Sequence, residues 1–150
     1  RPPSSTLFPY TTLFRSEEEI LFPNADLEIG GETVTVREFG FVESMKLEPI
    51  AYPIIQALAD IGEEWDTVGH TEVMRVIADH DEAYARLIAA SVNRPLEWVQ
   101  RLSDKDGMTL STAFWKVNNG FFVRRLLTLM LPKLVQRAKR EQAGAASLPH

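Results

Sequence analysis

Residues 113–125 read AFWKVNNGFFVRR, and how this stretch packs decides the fold. Four aromatic residues, two asparagines and one glycine share thirteen positions. At helical spacing Phe114, Val117 and Phe121 lie on one face. Trp115, Phe122 and Leu126 form a second face beside it. The apolar surface is therefore wider than a simple amphipathic stripe. Such a helix is either central to a small domain or an open contact surface. The run holds no Cys, His or carboxylate, so it points to contact rather than catalysis. Gly120 costs about 1 kcal/mol relative to Ala inside a helix, and Asn118 and Asn119 are poor helix formers. This local conflict marks a special contact. The close approach could come from a hairpin or helix of the same domain, or from a partner chain. Trp115, Asn118, Asn119, Gly120 and Phe122 are the partner-contact candidates.

Working outward, this helix is expected to start near Met108–Leu110 and to run to about Arg140. Pro132 should kink it or split off a last segment. Lys133, Arg137, Lys139 and Arg140 fall where they would suit a helix C-terminus. Residues 141–150 read as a flexible tail. Upstream, Pro95 suits the first turn of a short helix through Leu102. Thr71 can cap a helix running to about Ser91. Residues 63–70 form a loop containing Trp65. From Phe41 to Ile61 the pattern is helical, although Pro49 and Pro53 are obstacles. Either Pro49 opens the main helix after a separate first turn, or the helix bends. Gly30-Gly31 between LEI and TVTV predicts a two-residue hairpin turn, with Val34 and Val36 on its buried side.

The expected fold is α+β and predominantly α. An N-terminal β-hairpin is followed by about four helices in a single domain over residues 17–140. Trp98, Trp115, Phe121 and Leu126 are the expected core.

Residues Thr6–Ser16, TLFPYTTLFRS, resemble the in-frame translation of a sequencing adapter. The chain starts without Met, as a gene fragment joined to adapter would. Residues 1–16 are therefore read as non-native and set aside. The full chain of 150 residues carries a formal charge of −5. Without Arg1 and Arg15, 14 basic residues oppose 21 acidic ones, a balance of −7. That acidity argues against a nucleic-acid binder working by phosphate neutralisation. The longest apolar stretch, Phe121–Leu131, contains Arg124 and Arg125 and is shorter than the roughly 20 residues a membrane span needs. There is no cysteine, which excludes disulfides and thiolate chemistry and permits a cytosolic setting.

The candidates for chemistry have plainer explanations. His70 and His80, with Asp79, Asp81 and Glu82, invite a metal hypothesis. At three- and four-residue spacing, however, His80 meets Val76, Ile77, Ala83 and Tyr84 rather than ligands. Glu63, Glu64 and Asp66 read as a solvated acidic loop. Ser44, Ser91, Ser103 and Ser111 lack a Gly-x-Ser-x-Gly elbow. No phosphate loop or dinucleotide fingerprint is present. The basic run Lys133–Arg140 reads as a solvated helix end rather than a nucleic-acid or lipid site. No catalytic residue, metal or cofactor is expected.

The segments LEIGGETVTVREFGF (Leu27–Phe41) and AFWKVNNGFFVRR, in this order, resemble the tail assembly chaperones of Mu-like, long-tailed phages. The resemblance spans roughly Leu21–Arg137. It implies a non-enzymatic protein that coats the long, aggregation-prone tape-measure protein and keeps it soluble while tube subunits polymerise around it. The implied partners are the tape-measure protein, tail tube subunits and further copies of the chain. The implied place is the bacterial host cytoplasm during assembly, with absence from the mature virion. The alternative is a structural or connector protein retained in the tail. The two prolines in the first long helix depart from the family pattern.

Overall fold

The computed structural model describes residues 24–62 and 69–146, with side chains through residue 144. The adapter-like segment, Trp65 and the acidic residues Glu63, Glu64 and Asp66 lie outside the described residues. Two strands come first: β1 (Ala25–Ile29) and β2 (Glu32–Val36). Five helices follow among the described residues: α1 (Phe41–Ile61), α2 (His70–Asp79), α3 (Asp81–Val92), α4 (Leu96–Gln100) and α5 (Asp104–Ala146). The fold is α+β and mostly α, as the periodicities predict.

Gly30 and Gly31 adopt φ values of +61° and +84°. Positive φ at both central residues matches the twist of the two strands, and glycine adopts it without steric cost. The antiparallel register pairs Ile29 with Glu32 and Ala25 with Val36. Ile29, Val34 and Val36 are buried. On the other face Thr33 donates to Glu28 and Thr35 to Asp26, both at 2.6 Å.

The contacts divide into two compact units, each drawn from separate parts of the chain. The first takes residues up to Phe41 together with Ile88–Asn119. Its buried side chains include Ile29, Val34, Val36, Phe39, Leu110 and Phe114. The second takes Val42–Leu87 together with Gly120–His150. Its buried side chains include Ile54, Ile55, Leu58, Leu87, Phe122 and Met130. Neither unit is continuous in sequence, so they are not domains strung along the chain.

Helix α1 is continuous, despite its prolines. Ala51, Ile54, Ile55, Leu58 and Ala59 form its buried stripe. Pro49 and Pro53 both stand on the exposed side, where water can satisfy the carbonyls that lose a donor. Met45 of the same helix is 49% exposed.

The expected helix from Thr71 to Ser91 is instead two helices meeting at His80, whose backbone is non-helical at φ −126°, ψ 38°. The His80 Nδ1 lies 2.7 Å from the Val76 carbonyl, so this ring closes a helix end. Thr71 is not the cap. Gly69 occupies that place and has no side chain to offer. Glu72 reaches back instead to accept the Gly69 N–H at 2.8 Å, which is one half of a capping box.

Helix α3 ends in a Schellman arrangement. Asn93 sits at φ +57°, Arg94 N–H donates to Ala89 O at 3.0 Å and Asn93 N–H to Ala90 O at 3.3 Å. Pro95 then caps α4 at its N-terminus.

Helix α5 begins earlier and ends later than expected. Asp106 N–H donates to Ser103 Oγ at 3.2 Å and Gly107 N–H to Ser103 O at 2.8 Å, so Ser103 caps the first turn. The helix runs through Pro132 and Arg140 to Ala146. Residues 141–146 are therefore helical rather than a loose tail. Lys133–Arg140 lies inside the helix rather than at its end.

Candidate functional site

The first half of α5 works as an internal support. Asn118 is 1% exposed. Its Nδ2 donates to Arg37 O and its Oδ1 accepts the Phe39 N–H, both at 2.9 Å. One carboxamide thus acts as a short strand beside the extended linker after β2. Other groups fix the same linker. Arg37 N–H donates to Ser91 O at 2.9 Å, and the Arg37 guanidinium donates to Ala90 O at 2.8 Å. These two carbonyls belong to the C-terminal turn of α3, where a cation is favoured by the helix dipole. Phe39 packs edge-on against Phe114, with ring centroids 5.9 Å apart.

Two of the five partner-contact candidates are therefore corrected. Asn118 is spent on the linker backbone. Phe122 is 1% exposed and packs edge-on to Phe121 with centroids 5.2 Å apart. Trp115 is half-buried, and Asn119 is exposed. Gly120 faces no neighbouring backbone. A methyl added there would meet the Arg124 guanidinium, its Nη1 at 2.8 Å. The end of a flexible side chain can move aside, so close backbone approach does not explain this glycine. Of the expected core, Phe121 is buried, whereas Trp98, Trp115 and Leu126 are half-buried. Phe114 and Phe122 are the largest fully buried side chains.

Beyond Phe122 the helix changes character. Arg125 lies 4.1 Å over the Phe121 ring and donates to Phe121 O at 3.1 Å. Its Nε stands 3.2 Å from Glu48 Oε1 of α1, an ion pair without aligned hydrogen-bond geometry. Lys133 Nζ lies 3.6 Å from Asp60 Oδ1. Met130 is buried. The face that continues round the helix from Met130 is apolar as well, and open. Val123, Leu127, Leu131, Leu134 and Val135 are 45–54% exposed. Their spacing of four, four, three and one residues keeps them on one stripe. A helix with so wide an apolar surface is normally covered over all of it. Beside this stripe a cleft of about 470 Å³ is floored by Ala59, Met130 and Leu134 and rimmed by Lys133, Arg137 and Arg140.

A second cluster sits at the hairpin turn. Glu32 accepts from Arg94 at 3.1 Å and, in a longer bond, from Trp98 Nε1 at 3.4 Å. Arg94 also lies 5.0 Å over the Trp98 ring. These two hydrogen bonds, Arg94 first, and the charge of Arg94 hold the Glu32 carboxyl below its usual range. These contacts tie α4 to the turn.

The remaining sequence candidates have structural roles or stand apart. Ser91 Oγ donates to Ile88 O at 2.6 Å, Ser103 caps α5, and Ser44 is buried. Among the described residues no group of three or more His, Cys, Asp or Glu could hold a metal ion, and no helix is long and apolar enough to cross a membrane.

A family match covers residues 17–150. The chain belongs to a family of unknown function, DUF6631. No curated protein and no solved structure matches it.

The exposed stripe of α5 is built of ordinary Leu and Val, whereas the aromatic run next to it stands out by residue type. The available signal was the Leu/Val recurrence at 123, 127, 131 and 134–135. It is out of phase with buried Phe122 and borders buried Met130, which stands three residues after Leu127 and four before Leu134.

Proposed function

We propose that this chain is a non-enzymatic tail assembly chaperone of a long-tailed phage. It binds the tape-measure protein and keeps it soluble while the tube is built. It acts in the host cytoplasm and is left out of the finished particle. The observation that carries this reading is the open apolar stripe Val123, Leu127, Leu131, Leu134 and Val135, on a helix whose preceding turns bury Phe114, Phe121 and Phe122. A chaperone of long helical chains needs such a surface, with weak and repeatable contacts. The acidic balance of the whole chain keeps the chaperone itself soluble. The resemblance of Leu27–Phe41 and Ala113–Arg125 to this family supplies the identity of the client.

The second reading is a connector retained in the tail. Residues 131–144 of α5, exposed on all sides, suit permanent packing equally well. Co-expression of residues 17–150 with the tape-measure protein of a related phage tests the first reading. Soluble, copurifying tape-measure protein, lost in Leu127→Glu/Leu131→Glu, is the expected result. An insoluble tape-measure protein beside a folded, soluble partner overturns it. Mass spectrometry of purified virions separates the readings, because only the connector is found in the particle.

A further inference from the structure

We infer that the open stripe of α5 is a docking surface for an amphipathic α-helix whose apolar face is bordered by Asp and Glu. This deepens the chaperone reading by naming the chemistry of the bound segment, and it rests on that reading only for the client's identity. The inference starts from charge. Between Gly107 and Arg140 the chain has seven basic residues and no acidic one, although the whole chain is acidic. Arg125 and Lys133 are paired with Glu48 and Asp60 on α1, and Arg137 with Glu141 within the helix. Arg124 stands seven residues before Leu131, on the stripe's own axis. Lys139 stands one turn beyond Val135, and Arg137 three residues beyond Leu134. All three basic residues are exposed. An apolar strip bordered by cations fits an apolar strip bordered by carboxylates.

The competing occupants fit less well. A second copy packed stripe to stripe would bring two acid-free, basic segments together in either direction, which is like-charge repulsion. An anionic membrane would attract the cations. It would also repel the chain's acidic balance of −5, and the stripe itself holds only Val and Leu, without the aromatic residues typical of interfacial helices. The length suits a helix. From Val123 to Val135 the stripe extends about 18 Å, or three to four turns of a partner. The cleft beside it, with its apolar floor and Lys133, Arg137 and Arg140 at the rim, gives carboxylates on that partner a further place to sit.

The probes are two synthetic helical peptides of about 18 residues. They have the same Leu stripe, flanked by Glu in one and by Lys in the other. Binding to residues 17–150 is read by fluorescence anisotropy. The Glu-flanked peptide should bind at least about tenfold more tightly, and that preference should shrink as salt rises from about 50 to 300 mM. Leu131→Glu should weaken binding of the Glu-flanked peptide by more than about tenfold, with an unchanged circular dichroism spectrum. Arg124→Glu/Lys139→Glu should move the preference toward the Lys-flanked peptide. Equal affinity for the two peptides, or no binding of either to the folded protein, overturns the inference. So does binding to vesicles of phosphatidylglycerol without peptide binding, which assigns the stripe to a membrane. A concentration-dependent dimer abolished by Leu131→Glu assigns it to a second copy and also overturns the inference. Peptide preference together with an insoluble tape-measure protein keeps this inference and removes the chaperone reading. Rescue of the tape-measure protein without charge preference does the reverse.

Discussion

Residues 110–122 and 123–135 are neighbouring stretches of α5 with similar apolar content, yet they behave oppositely. In the first, Leu110, Phe114, Val117, Phe121 and Phe122 are buried, and Asn118 spends both ends of its amide on the linker after β2. In the second, Met130 is buried while five large aliphatic side chains on the adjoining surface are about half open. The polar residue that looked like a contact is structural, and the unremarkable Leu/Val repeat is the open surface. Apolar content says that a face prefers to leave water. It does not say which surface will cover it.

The largest test of this contrast is a pair of truncations followed by chemical denaturation. Phe114→Ala should lose about 3–5 kcal/mol, because a fully buried ring leaves a cavity. Leu131→Ala should stay within about 0.5 kcal/mol, because its site is already open. Similar losses for the two would erase the distinction. The next effect is smaller. Asn118→Ala leaves the Phe39 N–H and the Arg37 carbonyl without their partner, at about 1–3 kcal/mol. A neutral result would mean that the linker does not need its amide clamp.

Gly120 sharpens the comparison at the junction of the two stretches. Gly120→Ala should raise stability by up to about 1 kcal/mol through helix propensity, since only the Arg124 side chain needs to move. A melting temperature below that of the parent would reveal a close approach at Gly120.

The smallest effect lies away from α5. Glu32 should titrate below an ordinary glutamate in a carboxyl-detected NMR experiment, and Arg94→Ala should move it back up. A carboxyl with a depressed folded-state value favours the folded form while ionised. Its contribution is complete above the ordinary glutamate value and fades as pH falls through the folded value. An unmoved titration in Arg94→Ala would remove Arg94 as the cause.

Some features were legible because local rules suffice. Gly30-Gly31 between alternating residues can make few things other than a tight hairpin turn, and Ile54, Ile55 and Leu58 mark a helix face by spacing alone. Others needed more than spacing. The start of α5 was readable from Ser103-x-x-Asp106, but the pull of the aromatic run placed it several residues late. The break at His80 has no proline or glycine to announce it. It depends on a ring that closes one helix end by facing the Val76 carbonyl. The candidate surface was misplaced for the same kind of reason. Asn118 and Phe122 stand out as residue types, whereas exposure is a property of what lies opposite.

The sequence by itself determined the hairpin turn, the helical periods, the absence of cysteine chemistry and the acid-free basic segment Gly107–Arg140 within α5. These depend on backbone preference and on charge, both of which are local or additive. Only the tertiary structure decided that Asn118 faces inward, that Pro49, Pro53 and Pro132 can ride on exposed helix faces, and that Leu127 and Leu131 remain open. Burial is set by partners far away in the chain, and no window of neighbouring residues contains them.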